Sequence, residues 1–155
     1  MYIDVDYLKC TGCQMCEAVC SFKNTGLIGK SLSRIAVHKD ERKGVFIPTL
    51  CRQCSEPKCI QACPTNAIFK EKETGIIKIN KEECIGCRQC IDSCPFGAIG
   101  FDGEYPFKCE ICGGDPECVK SCFIGALKLK KNTDVFTESH KKIDYESLAK
   151  EIRQE

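Results

Sequence analysis

Sixteen cysteines fall into four groups of four, with none left over. Cys10, Cys13, Cys16 and Cys20 form the first quartet and Cys51, Cys54, Cys59 and Cys63 the second. Cys84, Cys87, Cys90 and Cys94 form the third and Cys109, Cys112, Cys118 and Cys122 the fourth. The first and third read C-x2-C-x2-C-x3-C, the second C-x2-C-x4-C-x3-C and the fourth C-x2-C-x5-C-x3-C. A final gap of three residues in every quartet gives the last cysteine a duty apart from the first three. A cubane cluster explains that division. Three thiolates from one tight loop reach three irons, and in the two-cluster bacterial run the fourth cysteine ligates the other cluster of the pair. Residues 84–95 match that run in full, with Pro95 after Cys94. The implied chemistry is one-electron transfer at 4Fe–4S clusters.

Other uses of cysteine fit less well. Met1 to Asp6 is acidic, with no basic or apolar leader behind it, and no apolar run approaches the length of a membrane span. A reducing, cytoplasmic location is therefore expected, where cysteines bind metal or act in redox chemistry instead of forming disulfides. A closed zinc site normally uses two C-x2-C pairs with a longer spacer. Only the fourth quartet keeps zinc as an alternative: Gly113 to Glu117 separates two pair-like halves, and Phe123, not proline, follows Cys122. His38 and His140 stand outside any motif, and no Walker loop, dinucleotide fingerprint or nucleophile elbow is present. The sequence thus predicts no catalytic residues. The formal charge of +1 treats every thiol as neutral. An oxidised cubane with four thiolates carries −2, so four such sites take the chain to −7. That charge argues against a nucleic-acid partner.

The elements that hold these loops are short. Cys63-Pro64-Thr65-Asn66-Ala67-Ile68, Cys94-Pro95-Phe96-Gly97-Ala98-Ile99 and Cys122-Phe123-Ile124-Gly125-Ala126-Leu127 repeat one unit, each followed by a short strand. Pro64 and Pro95 end a helical turn. Gly12 and Gly86 occupy the same place in two quartets, where the backbone must wrap closely around a cluster. Hairpins are expected at 68–70 with 76–79 and at 34–38 with 45–47. In the tail, Tyr145, Leu148, Ala149 and Ile152 recur at helical spacing after Asp144, which predicts one amphipathic helix.

Cys51-Arg52-Gln53-Cys54-Ser55-Glu56-Pro57-Lys58-Cys59-Ile60-Gln61-Ala62-Cys63-Pro64 resembles the C-x2-C-x2-P-x-C-x3-C-P signature of the dimethyl sulfoxide reductase iron–sulfur subunit family. Lys9 to Ser21 resembles that family's first motif, and the resemblance runs over roughly residues 4 to 130. Within the family the chain is most similar to compact polyferredoxin subunits that accompany tungsten enzymes of the aldehyde oxidoreductase and ATP-independent benzoyl-CoA reductase type. The resemblance implies a non-catalytic subunit that carries electrons between a large tungsten- or molybdenum-pterin subunit and an external redox protein. A free soluble polyferredoxin is the alternative, as is a coupling subunit of a hydrogenase, formate dehydrogenase or carbon monoxide dehydrogenase.

The expected fold is α+β, with two nested ferredoxin-like modules in residues 1–130. The inner module is 51–99, the outer one is 1–50 plus 100–130, and a tail follows at 131–155. The short link between the second and third quartets motivates this pairing, and the resemblance implies the same. The expected ligand sets are then Cys10, Cys13, Cys16 with Cys122; Cys109, Cys112, Cys118 with Cys20; Cys51, Cys54, Cys59 with Cys94; and Cys84, Cys87, Cys90 with Cys63.

Overall fold

The computed structural model describes residues 1–131, so the helix expected around Tyr145 to Ile152 lies outside the described residues. Strand β1 (Tyr2–Val5) pairs antiparallel with β8 (Leu127–Lys130), bringing the two ends of the cysteine-bearing region together. Strands β2 (Ile35–Asp40) and β3 (Val45–Leu50) form one hairpin, β4 (Ile68–Lys70) and β5 (Ile77–Ile79) a second, and β6 (Ile99–Phe101) and β7 (Pro106–Lys108) a third. Four α-helices, α1 (Met15–Thr25), α2 (Lys58–Gln61), α3 (Gln89–Ser93) and α4 (Glu117–Lys120), and two short 3-10 helices, Lys30–Leu32 and Ile111–Gly114, complete the described chain. These short helices and antiparallel hairpins agree with a ferredoxin-like 4Fe–4S domain. The expected hairpins are present with ends shifted by a residue or more, whereas β1 and β7 were not anticipated. In β1 the acidic Asp4 masks an alternation in which Ile3 and Val5 point inward.

Helix α1 packs on α4, and α2 packs on α3. Three-residue strands and one-turn helices do not hold together alone. Here they close over two apolar clusters. One joins Ile3, Ile35, Leu50, Ile76, Ile111 and Leu127 to Cys20, Cys51, Cys109 and Cys118. The other joins Ile68, Ile77 and Ile99 to Cys90. Each fully buried isoleucine contributes about 1.5–3 kcal/mol. The β2–β3 hairpin turns Ile35, Val37, Val45 and Ile47 inward at the strand period. It is pinned to α1 by the buried Glu17, whose carboxylate accepts Val37 N–H at 2.7 Å and Gln14 Nε2 at 2.8 Å.

Candidate metal centres

All four quartets share one backbone device. The second residue between the first two cysteines is left-handed in each: Gly12 at φ +68°, Gln53 at +53°, Gly86 at +65° and Ile111 at +54°. That conformation turns the backbone N–H groups inward. For Gly12 the crowding adds a second demand, since a Cβ there would stand 2.3 Å from Cδ1 of Phe46. At Gly86 a Cβ would stand 2.8 Å from the Glu104 carbonyl oxygen. Sequence reasoning found the two glycines and missed Gln53 and Ile111. A β-branched residue at positive φ is an outlier, and only the equivalence of the four loops could have signalled it.

The structure brings cysteines of different quartets together. One cavity is lined by Cys109, Cys112 and Cys118 and by Cys20 from α1. A second is lined by Cys51, Cys54 and Cys59 and by Cys94 from the end of α3. In each, three sulfurs come from one quartet and one from another. Around the first quartet, burial raises Cys10, the Gly12 N–H counters it, and Cys13 and Cys122 raise it again. Cys16 is pushed to about 12 by burial, then by Glu17, Cys10 and Cys13. In the third quartet, Cys90 is pushed to about 11 by burial, then by Cys59, Cys84 and Cys87. Cys63 packs on the same apolar cluster as Cys90 of this quartet. His38, outside any motif, is exposed.

The four groups are also neighbours of one another. Cys118 is raised by burial, then by Cys109, Cys20 and Cys112, and finally by Cys16 of the first group. Cys109 is pushed to about 12 by burial, relieved by the Ile111 N–H, and raised by Cys51 and Cys20. Cys54 is pushed to about 11 by burial and by Cys51, Cys59 and Cys94. The electrostatic influence of Cys16 on Cys118, of Cys51 on Cys109 and of Cys59 on Cys90 therefore orders the groups in a file. Its centre is the two four-cysteine cavities.

Sulfur acceptors are supplied with N–H donors. Cys20 Sγ accepts Arg34 N–H at 3.3 Å and Asn24 Nδ2 at 3.7 Å. Cys94 Sγ accepts Ala98 N–H and Cys109 Sγ accepts Ile111 N–H, both at 3.4 Å. Cys63 lies below the usual thiol range: burial raises it, but N–H groups of Ile68, Thr65 and Ala67 and the Thr65 hydroxyl outweigh that. Such donors stabilise thiolate and tune a cluster held by it. Two side chains absent from sequence reasoning join this shell. Gln53 is buried, accepts Ile77 N–H at 2.8 Å and donates Nε2 to Cys109 O at 2.8 Å. Lys108 is 1% exposed and donates Nζ to Ile77 O and, at 3.1 Å, to Cys109 O. Nothing in the sequence signals Lys108, which β7 turns inward.

The donor set fits a multi-iron cluster. Four sulfurs wall each of the two cavities, whereas among the described residues no three His, Cys, Asp or Glu side chains converge on a point suited to a single metal ion. Residues 42–132 match the 4Fe-4S dicluster domain family, and residues 9–68 match a second dicluster profile. The chain belongs to the 4Fe-4S dicluster domain family. A relative from Pyrococcus furiosus, the polyferredoxin-like subunit of aliphatic sulfonate oxidoreductase, is 37% identical over 74% of this chain and 66% of its own length. The iron–sulfur subunit of arsenate respiratory reductase from Shewanella sp. is 35% identical over 83% of this chain and 56% of its own. A subunit of NADH-dependent phenylglyoxylate dehydrogenase from Aromatoleum evansii is 34% identical over 88% and 31%. The chain thus spans between about a third and two thirds of the length of these relatives. A solved structure of the BamBC active-site complex of benzoyl-coenzyme A reductase is 24% identical over 81% of this chain and 75% of that one, with a TM-score of 0.47. No helix among the described residues is long and apolar enough to cross a membrane.

Proposed function

We propose that the chain holds four 4Fe–4S clusters and carries electrons between a large catalytic subunit and an external redox partner. The observation that carries this reading is the make-up of the two central cavities: three cysteines from one quartet and a fourth from a distant one. A 4Fe–4S cluster supplies one-electron chemistry when bound. Cys109, Cys112, Cys118 and Cys20 hold one cluster, and Cys51, Cys54, Cys59 and Cys94 a second. Cys10, Cys13, Cys16 and Cys122 hold the third, supported by the influence of Cys13 and Cys122 on Cys10. Cys84, Cys87, Cys90 and Cys63 hold the fourth. Sulfur-walled cavities favour a cubane over zinc at the fourth quartet as well.

The contact of α2 with α3, of α1 with α4, and the pairing of β1 with β8 support a nested arrangement, with residues 51–99 inside and 1–50 plus 100–130 outside. The catalytic subunit is a tungsten- or molybdenum-pterin protein and the location is cytoplasmic; the sequence motifs of the dimethyl sulfoxide reductase iron–sulfur subunits support the first, and the spacing of the cysteines as metal ligands supports the second. Met15, Phe22 and Ile28 stand exposed along an open trough of about 630 Å³ beside α1, the kind of surface a subunit presents to a partner.

Anaerobic purification from the native host tests this function. The chain is expected to come with a large subunit containing tungsten or molybdenum. Alone, it is expected to accept electrons from dithionite and turn over no organic substrate. Substrate turnover by the isolated, metal-replete chain would contradict the reading.

A further inference from the structure

Lys108 is the largest fully buried side chain among the described residues, and it is a cation. Its Nζ donates to two backbone carbonyls, Ile77 O and Cys109 O. No carboxylate pairs with it among the described residues. Ile77 lines the cavity of Cys51, Cys54, Cys59 and Cys94, and Cys109 lines that of Cys109, Cys112, Cys118 and Cys20. The ammonium therefore stands in the wall common to the two central sites. Gln53 fixes the same wall from the other side, since it binds Ile77 N–H and Cys109 O.

Removing an ammonium from water without a counter-charge is costly. A lysine with no carboxylate partner stays buried when something else nearby is negative. The only dense negative charge the proposed function offers there is the thiolate-ligated cluster on each side. Both neighbouring thiols register the lysine. Cys59 and Cys109 are raised above all by burial, and Lys108 acts on each in the opposite sense.

We propose that Lys108 is a fixed positive charge shared by the two central clusters, holding their reduction potentials more positive than their thiolate shells alone would give. Gln53 keeps the cation in place. The inference rests on the assignment of the two cavities as cluster sites. Reduction adds one negative charge to a cluster, and a cation in the shared wall stabilises that reduced form. It thereby offsets the opposite effect of burial, which disfavours added charge. The middle of the file then accepts an electron instead of standing as a barrier between its ends.

The test uses the anaerobically isolated, iron-replete chain, with Lys108→Gln, Lys108→Met and Gln53→Glu compared with the parent. Iron and acid-labile sulfide are assayed first, and potentials follow by titration monitored by electron paramagnetic resonance. The expected result is that two of the four midpoint potentials move to more negative values and two stay. Gln53→Glu keeps the lysine and the side-chain volume but replaces the Nε2 donor to Cys109 O by a negative charge, so it shifts the same two potentials in the same direction. If the neutral variants fail to load iron, Gln53→Glu decides the matter. Unchanged potentials, or an equal shift of all four at full iron content, would overturn the role of Lys108. A parent chain with fewer than four clusters would instead defeat the assignment on which it rests.

Discussion

The two central cysteine groups and the two peripheral ones use the same loop to different ends. In the peripheral loops the left-handed position is a glycine, Gly12 or Gly86, because Phe46 or the Glu104 carbonyl folds directly over it. In the central loops the same position carries Gln53 or Ile111. Each accepts a strained backbone, roughly 1–3 kcal/mol, so that a side chain can fill the space between sites. Gln53 makes two hydrogen bonds there, and Ile111 is 1% exposed in the core. Burial follows the same division. Cys20, Cys51, Cys109 and Cys118 are buried in the centre and Cys90 alone in the periphery, whereas the second cysteine of three quartets, Cys13, Cys87 and Cys112, is exposed. One loop, repeated four times, thus has four buried cysteines around the centre and one at the periphery.

The strongest way to break the comparison is to remove a crossing ligand. Cys94→Ala is expected to abolish the cluster of Cys51, Cys54 and Cys59 while that of the third quartet persists. Iron content then falls by one cluster, and spectra of the variant identify which. Loss of the third quartet's cluster instead would place Cys94 with its own quartet.

Next in size is resistance to metal removal. Treatment with a chelator or ferricyanide is expected to release iron in two phases, with the group of Cys10, Cys13, Cys16 and Cys122, which holds no buried cysteine, emptied before the group of Cys20, Cys109 and Cys118. A single phase, or earlier loss of the central pair, would erase the distinction between centre and periphery.

Backbone substitutions sharpen it further. Gly12→Ala forces a methyl group into Phe46 and a left-handed conformation on alanine, for a loss of roughly 2–4 kcal/mol. Gln53→Gly relieves its backbone but leaves buried polar partners unmet, for a loss of about 1–3 kcal/mol. Both are read as a lower thermal midpoint of the loaded chain, and Gly12→Ala is expected to show the larger drop.

The smallest effect is on pH. Burial pushes the thiol of Cys109 to about 12 and that of Cys54 to about 11. Iron binds the thiolate, so loading releases protons. Raising the pH from neutral toward these values therefore favours the loaded state, and reconstitution improves with pH over that interval. A yield that falls as pH rises would show that proton competition does not limit loading.

Much of this was legible in the sequence. The cysteine spacing alone divides three ligands from a fourth, and the structure gathers Cys20 and Cys94 with quartets other than their own. The hairpins at β2–β3 and β4–β5 followed from alternation and turn residues. Other features were hidden for physical reasons. Strand β1 exists through its pairing with β8 across nearly the whole described chain, and no local pattern reports a partner so far away. Gln53 and Ile111 carry no glycine to announce positive φ. Lys108 reads as one more surface charge until β7 turns it inward beside Ile77 and Cys109.

An anaerobic crystal structure with anomalous maps on both sides of the iron edge tests the central claim most directly. It is expected to show four groups of iron, with Cys20 beside Cys109, Cys112 and Cys118, Cys94 beside Cys51, Cys54 and Cys59, Cys122 beside Cys10, Cys13 and Cys16, and Cys63 beside Cys84, Cys87 and Cys90. A cluster that takes its fourth thiolate from its own quartet, or a site with zinc and no iron signal, would contradict it.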